Sequence, residues 1–140
     1  METKNVIENV AVELLRQAVT KLPPDVKEAL QQAYREEESD VGKTQLEAIL
    51  NNVELAEKTS TPMCQDTGVI IFYVKAGAQA RNLDEIKDAL INATRRATKQ
   101  VPLRPNSVGI FTKKNTGDNT GRYIPYINWE ITSGDTIELT

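Results

Sequence analysis

Ile7, Val10, Leu14, Leu15 and Ala18 recur at three- and four-residue spacing. That period predicts an amphipathic helix over residues 5–20. Leu22, Pro23 and Pro24 end it, and Pro24 suits the first turn of a second helix running to about Glu37, with Asp25 beside it. The acidic run at 36–38 lies at the wrong pole of that helix dipole, so fraying is expected there. A third helix follows Ser39 and Asp40, with Leu46, Ile49, Leu50 and Val53 on one face, and runs to about Lys58. Three helices on short links read as one helical layer.

The period then changes. Residues 59–67 read as a loop, because Pro62 withholds a backbone donor and forces extended geometry before it. Residues 69–74 are continuously apolar and mostly β-branched or aromatic, which predicts a strand buried on both faces. Asn82 is placed to cap a fourth helix, with Asp84 and Glu85 in its first turn and Arg95, Arg96 and Lys99 near its end. Leu83, Ile86, Leu90 and Ala97 form its apolar stripe. A loop at 102–106, a short strand at 108–112 and a polar loop at 113–121 follow. Residues 123–132 read as a strand with Tyr123, Ile127, Trp129 and Ile131 on one face, and Pro125 puts it at an edge or a bulge. A hairpin-like turn at 133–135 leads to a last strand at 136–139. The chain stops in that strand, which suggests a piece cut from a longer polypeptide. The fold class expected is α+β. A single domain over 1–140 holds a helical part to about 58, then a small mixed sheet with one further helix over about 59–140.

Composition narrows the function classes. The 140 residues are 39% hydrophobic and 26% charged, ordinary for a folded domain. Neither a long apolar run nor a basic-then-apolar leader is present, which points to the cytoplasm and to no membrane partner. Residues 1–60 hold 7 basic and 12 acidic side chains, and residues 61–140 hold 10 and 8. The second part can therefore attract an anion, although two ordinary solvated surfaces explain the same numbers. No basic run is interleaved with aromatics, which argues against nucleic acid. The single cysteine excludes an internal disulfide. With no histidine, chemistry must fall to Cys, Asp, Glu, Lys, Arg or Thr.

The stretch Thr61-Pro62-Met63-Cys64-Gln65-Asp66-Thr67-Gly68 concentrates a thiol, an amide, a carboxylate and a hydroxyl at a helix-to-strand junction. Cys64 is either a small buried hydrophobe or a thiolate held at a site. A thiol nucleophile needs a base such as histidine, so metal ligation is the better functional reading. One thiolate cannot hold zinc or an iron–sulfur cluster, so further ligands must come from elsewhere. Asp66 either caps a turn or transfers protons. Gln65 offers a donor and an acceptor to a carboxylate. Arg104, between prolines, is a surface charge or a bidentate carboxylate clamp. The two Asn-Thr-Gly triplets at 115–117 and 119–121 lack the lysine of a phosphate loop, so a nucleotide site is rejected. Asn92-Ala93-Thr94 is a chance sequon inside a helix.

The motif at 61–68 closely resembles the signature of class I, iron–sulfur-dependent fumarate hydratases and the related L-tartrate dehydratases. Leu103-Arg104-Pro105-Asn106-Ser107 resembles the loop that supplies a substrate arginine in that family. Asn115-Thr116-Gly117-Asp118-Asn119 and the ending at 134–139 are similar too. The resemblance implies the N-terminal part of an α subunit, or of a single-chain member. In that family three cysteines hold a [4Fe-4S] cluster with one open iron, and water adds reversibly to fumarate to give L-malate. Cys64 would then be one cluster ligand, Gln65 and Asp66 would touch substrate, Asp66 would act in proton transfer, and Arg104 would bind a carboxylate. The implied partners are the remainder of the α subunit and a β subunit, in a dimeric or heterotetrameric complex of the tricarboxylic acid cycle. The other two cluster cysteines are absent from this sequence, so the chain alone is expected neither to hold a cluster nor to turn over. The reading from another class is an assembly module whose docking surface is the acidic helical region, residues 1–60.

Overall fold

The computed structural model describes residues 2–66, 68–101 and 103–140, without the side chains of Glu2 and Thr3. The motif threonine Thr67 and the loop proline Pro102 lie outside the described residues. The element order is α1 (Glu2–Thr20), α2 (Pro24–Glu36), α3 (Asp40–Thr59), β1 (Ile71–Gly77), α4 (Leu83–Gln100), β2 (Tyr126–Thr132) and β3 (Ile137–Leu139). Helices beside a small mixed sheet make the fold α+β, as the sequence periods require.

The helix boundaries follow local chemistry. Pro24 occupies the first turn of α2, where its missing N–H costs nothing. The hydroxyl of Ser39 accepts from the Gly42 amide and caps α3, and Ser60 in the left-handed region ends it. Asn82 does stand at the N-cap of α4, but in the left-handed region and without a side-chain cap bond.

α1 packs on α4 and touches α3, α2 and α3 pair with each other, and α2 buries no residue. On α1 the buried stripe is Ala11 and Val12, flanked by Ile7, Leu15 and Val19. Val10 and Ala18, expected inward, are exposed. On α4, Ala89, Ala93 and Ala97 recur every four residues on one face and are fully buried. The basic end of α4 is spent on neighbours rather than on its own carbonyls. Arg96 pairs with Glu8 at 3.4 Å and donates to Asn9 at 3.0 Å. Asn92, the sequon residue, donates to Glu8 at 3.1 Å.

The sheet order is β2-β1-β3. β1 and β2 run parallel, with Val74 opposite Trp129, and β1 and β3 run antiparallel, with Val74 opposite Leu139. β1 is not buried on both faces. Phe72, Val74 and Ala76 enter the core with α1 and α4, whereas Ile71 and Tyr73 are exposed. Both covering helices lie on one side, so the strand alternates with period two. β2 is an edge strand that begins at Tyr126. Tyr123 falls outside it, exposed and at positive φ. Residues 108–112 form no strand; Val108 makes only an isolated bridge to Asn115. Residues 133–135 are not a hairpin turn either. They cross the end of β1, where the Gln79 amide donates to the Gly134 carbonyl and the Gly77 amide to Thr136, and they deliver β3 to the far side. Gly77 is needed for that crossing, because a Cβ there would run into the Gly134 carbonyl. Among the described residues, no helix is long and apolar enough to cross a membrane.

Candidate active site

The motif loop is held from two sides at Met63. Its amide donates to the Val19 carbonyl of α1 at 2.9 Å, and its carbonyl accepts from Asn52 of α3 at 2.9 Å. Pro62 before it leaves no amide to compete, and the chain then turns outward. Cys64 and Gln65, the next two residues, are exposed as a result.

Asp66 folds back on its own loop. Its Oδ1 accepts from the Gly68 amide at 2.9 Å, an Asx-type turn. Gly68 takes φ of 71°, and a Cβ there would meet nothing, so the glycine serves conformation rather than space. The same Oδ1 accepts from Asn106 Nδ2 at 2.9 Å, and Nδ2 also reaches the Gly68 carbonyl at 3.2 Å.

Asn106 belongs to the loop that carries Arg104. A buried carboxamide supports that loop from beneath. Asn119 is only 4% exposed. Its Oδ1 accepts from the Asn106 amide at 2.7 Å, and its Nδ2 donates to the Arg104 carbonyl at 3.0 Å and to Thr98 of α4 at 3.2 Å. The Asn-Thr-Gly segment adds two more ties. Asn115 donates to the Pro105 carbonyl, and the Thr116 amide donates to Ser107 at 3.0 Å. This polar stretch is therefore the scaffold of the arginine loop rather than a phosphate cradle. Asn106 and Asn119 were missed as site residues on sequence grounds. The available signal was the density of asparagines over 106–119, a residue type that tolerates left-handed backbone and bonds its neighbours.

The two loops enclose an open depression of about 580 Å³, lined on one side by Asp66, Gly68 and Val69 and on the other by Arg104, Pro105 and Asn106. Asp66 and Arg104 thus line one depression. Cys64 lies in an adjoining cleft of about 170 Å³ with Pro62, Met63 and Val19, and Asp66 lines both. Of the residues singled out from sequence, the structure brings Asp66 and Arg104 together and joins Cys64 to them through Asp66. Gln65 lines neither hollow.

Asp118, at the base of the arginine loop, is the one described group whose acidity is clearly shifted. Partial burial pushes its carboxyl up. The Thr120 hydroxyl and amide and the nearby Arg95 outweigh that and hold it below the ordinary carboxylate value. Thr120 donates to Oδ1 at 2.7 Å, and Arg95 Nε stands 3.4 Å from Oδ2.

Among the described residues, no three metal-ligating side chains come together. The donors present do not amount to a cluster site, which needs three or four ligands against one exposed thiol. They fit a single ligand's share of one.

The family model for fumarate hydratase (fumerase) matches residues 8–140. A Methanocaldococcus jannaschii protein, provisionally named L(+)-tartrate dehydratase subunit alpha, is 43% identical over 127 residues, covering 89% of this chain and 45% of that protein. An Escherichia coli L(+)-tartrate dehydratase subunit alpha is 40% identical over 121 residues, 86% of this chain and 40% of its own length. One from Shigella sonnei is 40% identical over 112 residues, covering 80% and 37%. The chain thus spans less than half the length of these curated relatives. With the match running through both site loops to residue 140, the chain belongs to the fumarate hydratase (fumerase) family.

Proposed function

We propose that this chain is the N-terminal portion of the α subunit of a cytoplasmic iron–sulfur hydro-lyase that adds water to, or removes it from, a four-carbon dicarboxylic acid. The observation that carries the reading is the single depression shared by Asp66 and Arg104, opening beside Cys64. Arg104 takes one substrate carboxylate, since a guanidinium binds it with two parallel, charge-assisted bonds. Asp66 gives or takes the proton that accompanies water addition. Gln65, exposed on the same turn, supplies a further donor and acceptor for substrate. Cys64 contributes one thiolate to a [4Fe-4S] cluster whose other ligands come from the rest of the enzyme. When bound, that cluster supplies a Lewis acid for the hydroxyl being moved. A β subunit completes the assembly, in keeping with relatives named as alpha subunits.

Two substrates fit. The family is named for fumarate, with L-malate as product, and the relatives are named for L(+)-tartrate. The deciding experiment offers both acids, without oxygen, to the complete enzyme loaded with iron and sulfide, beside a Cys64→Ala version. Turnover of either acid that vanishes in the variant supports the reading and names the substrate. Full activity in the variant overturns the role of Cys64. A separate role in assembly is favoured by exposed Val26, Val41, Ile49 and Leu55 on the α2–α3 pair. It predicts that substitutions there impair subunit association and leave the site intact.

A further inference from the structure

Among the described residues, one side chain from outside its own loop holds the Asp66 carboxylate. Asn106 Nδ2 reaches Asp66 Oδ1 at 2.9 Å and the Gly68 carbonyl at 3.2 Å, across 40 positions of sequence. A primary amide has two N–H donors, so one group can serve both acceptors. Asn106 is in turn fixed through its main chain, where the buried Asn119 oxygen accepts its amide at 2.7 Å. That same Asn119 holds the Arg104 carbonyl and Thr98 of α4. A continuous run of bonds therefore joins the helix α4, the arginine loop and the carboxylate of the motif loop.

We infer that Asn106 is a positioning residue, setting the orientation of the Asp66 carboxylate relative to Arg104. The inference rests on the reading of Asp66 as the proton-handling group. A carboxylate bonded only within an exposed turn can swing about its side-chain torsions. A second donor anchored to the arginine loop removes that freedom. It also fixes which oxygen is occupied, because Oδ1 takes both the Gly68 and the Asn106 bonds. Productive geometry for proton transfer tolerates errors of only a fraction of an ångström, so loss of the strut falls on turnover rather than on binding.

The test is a double-mutant cycle in the complete, cluster-loaded enzyme. Asn106→Ala lowers kcat by roughly 10–100-fold with KM within about threefold, the range typical when a group that orients a functional side chain is lost. Asn106→Asp keeps the shape and removes the donor, and it falls at least as far. Both variants retain the main-chain bond to Asn119, so cluster content and thermal unfolding stay near wild type. Combined with Asp66→Glu, which moves the carboxylate out of register, Asn106→Ala costs nothing further. Losses that instead multiply, or a KM that rises at constant kcat, overturn the positioning role, as does an Asn106→Asp enzyme of full activity. If Asp66→Glu alone is as active as wild type, it is the reading of Asp66 that fails, and the inference with it.

Discussion

The buried carboxamide of Asn119 donates to the main-chain carbonyl of Arg104 at 3.0 Å, so the backbone of the residue proposed to bind substrate is anchored from the core. Three partners depend on this one side chain: Arg104, Asn106 and Thr98. Replacing it with alanine strands buried polar groups, each costing about 1–3 kcal/mol. Asn119 also sits at φ of 57°, where alanine is strained by about 1 kcal/mol and glycine is not. Asn119→Ala is expected to lower the thermal midpoint clearly, and Asn119→Gly to recover roughly that 1 kcal/mol of strain. Equal midpoints for the two would contradict the backbone argument.

Gly77 supports the sheet by having no side chain. A methyl group there meets the Gly134 carbonyl and comes within 2.8 Å of the Asp135 nitrogen, both backbone atoms that cannot rotate away. Gly77→Ala is expected to destabilise the protein by about 1–3 kcal/mol, the usual cost of overpacking. Denaturant unfolding measures it, and an unchanged midpoint would show that the 133–135 crossing can shift freely.

Asp118 predicts a pH dependence with a definite sign. Its carboxyl is held below the usual value of 3.8 in the folded chain. The folded state therefore favours the ionised form, and the stabilisation is present above 3.8. It is lost as the pH falls through the lowered folded value. Asp118→Asn should thus be less stable than wild type near neutrality, with the gap closing in acid below 3.8. A gap that widens in acid would reverse the sign.

The long periodic segments were readable from the chain alone. The bounds of α2 and α3 follow from Pro24, Ser39 and the apolar spacing, because capping and helix periodicity are local effects. Faces were less readable. The run at 69–74 is apolar throughout, and only the one-sided placement of α1 and α4 decides that Phe72 is buried and Tyr73 is not. On α1, Ala11 is buried and Val10 exposed, because the face of the helix turned to the core decides burial and side-chain hydrophobicity alone does not. At the site, Asp66 and Arg104 stood out by residue type and motif. Asn106 and Asn119 did not, because the density of asparagines over 106–119 marks a bonded loop without naming its partners, which lie 40 positions away for Asn106 and 13 to 21 away for Asn119.

Cys64 offers a simple chemical check. Its thiol is exposed, so a maleimide should label the folded chain at one site without denaturant. In the complete enzyme loaded with cluster the same thiol should be protected, and removal of iron should restore labelling. Labelling that is equally fast with and without iron would argue against Cys64 as a ligand.

The most direct test of the central claim is kcat/KM for the complete enzyme carrying Arg104→Gln, measured on whichever of fumarate and L-tartrate the wild type turns over. The substitution removes the guanidinium and its charge and leaves a shorter, neutral polar side chain. A lost charge-assisted pair is worth about 3 kcal/mol, so kcat/KM should fall roughly 100-fold. A value within about twofold of wild type, with the cluster intact, would mean that Arg104 does not hold the substrate and that the shared depression is not the active site.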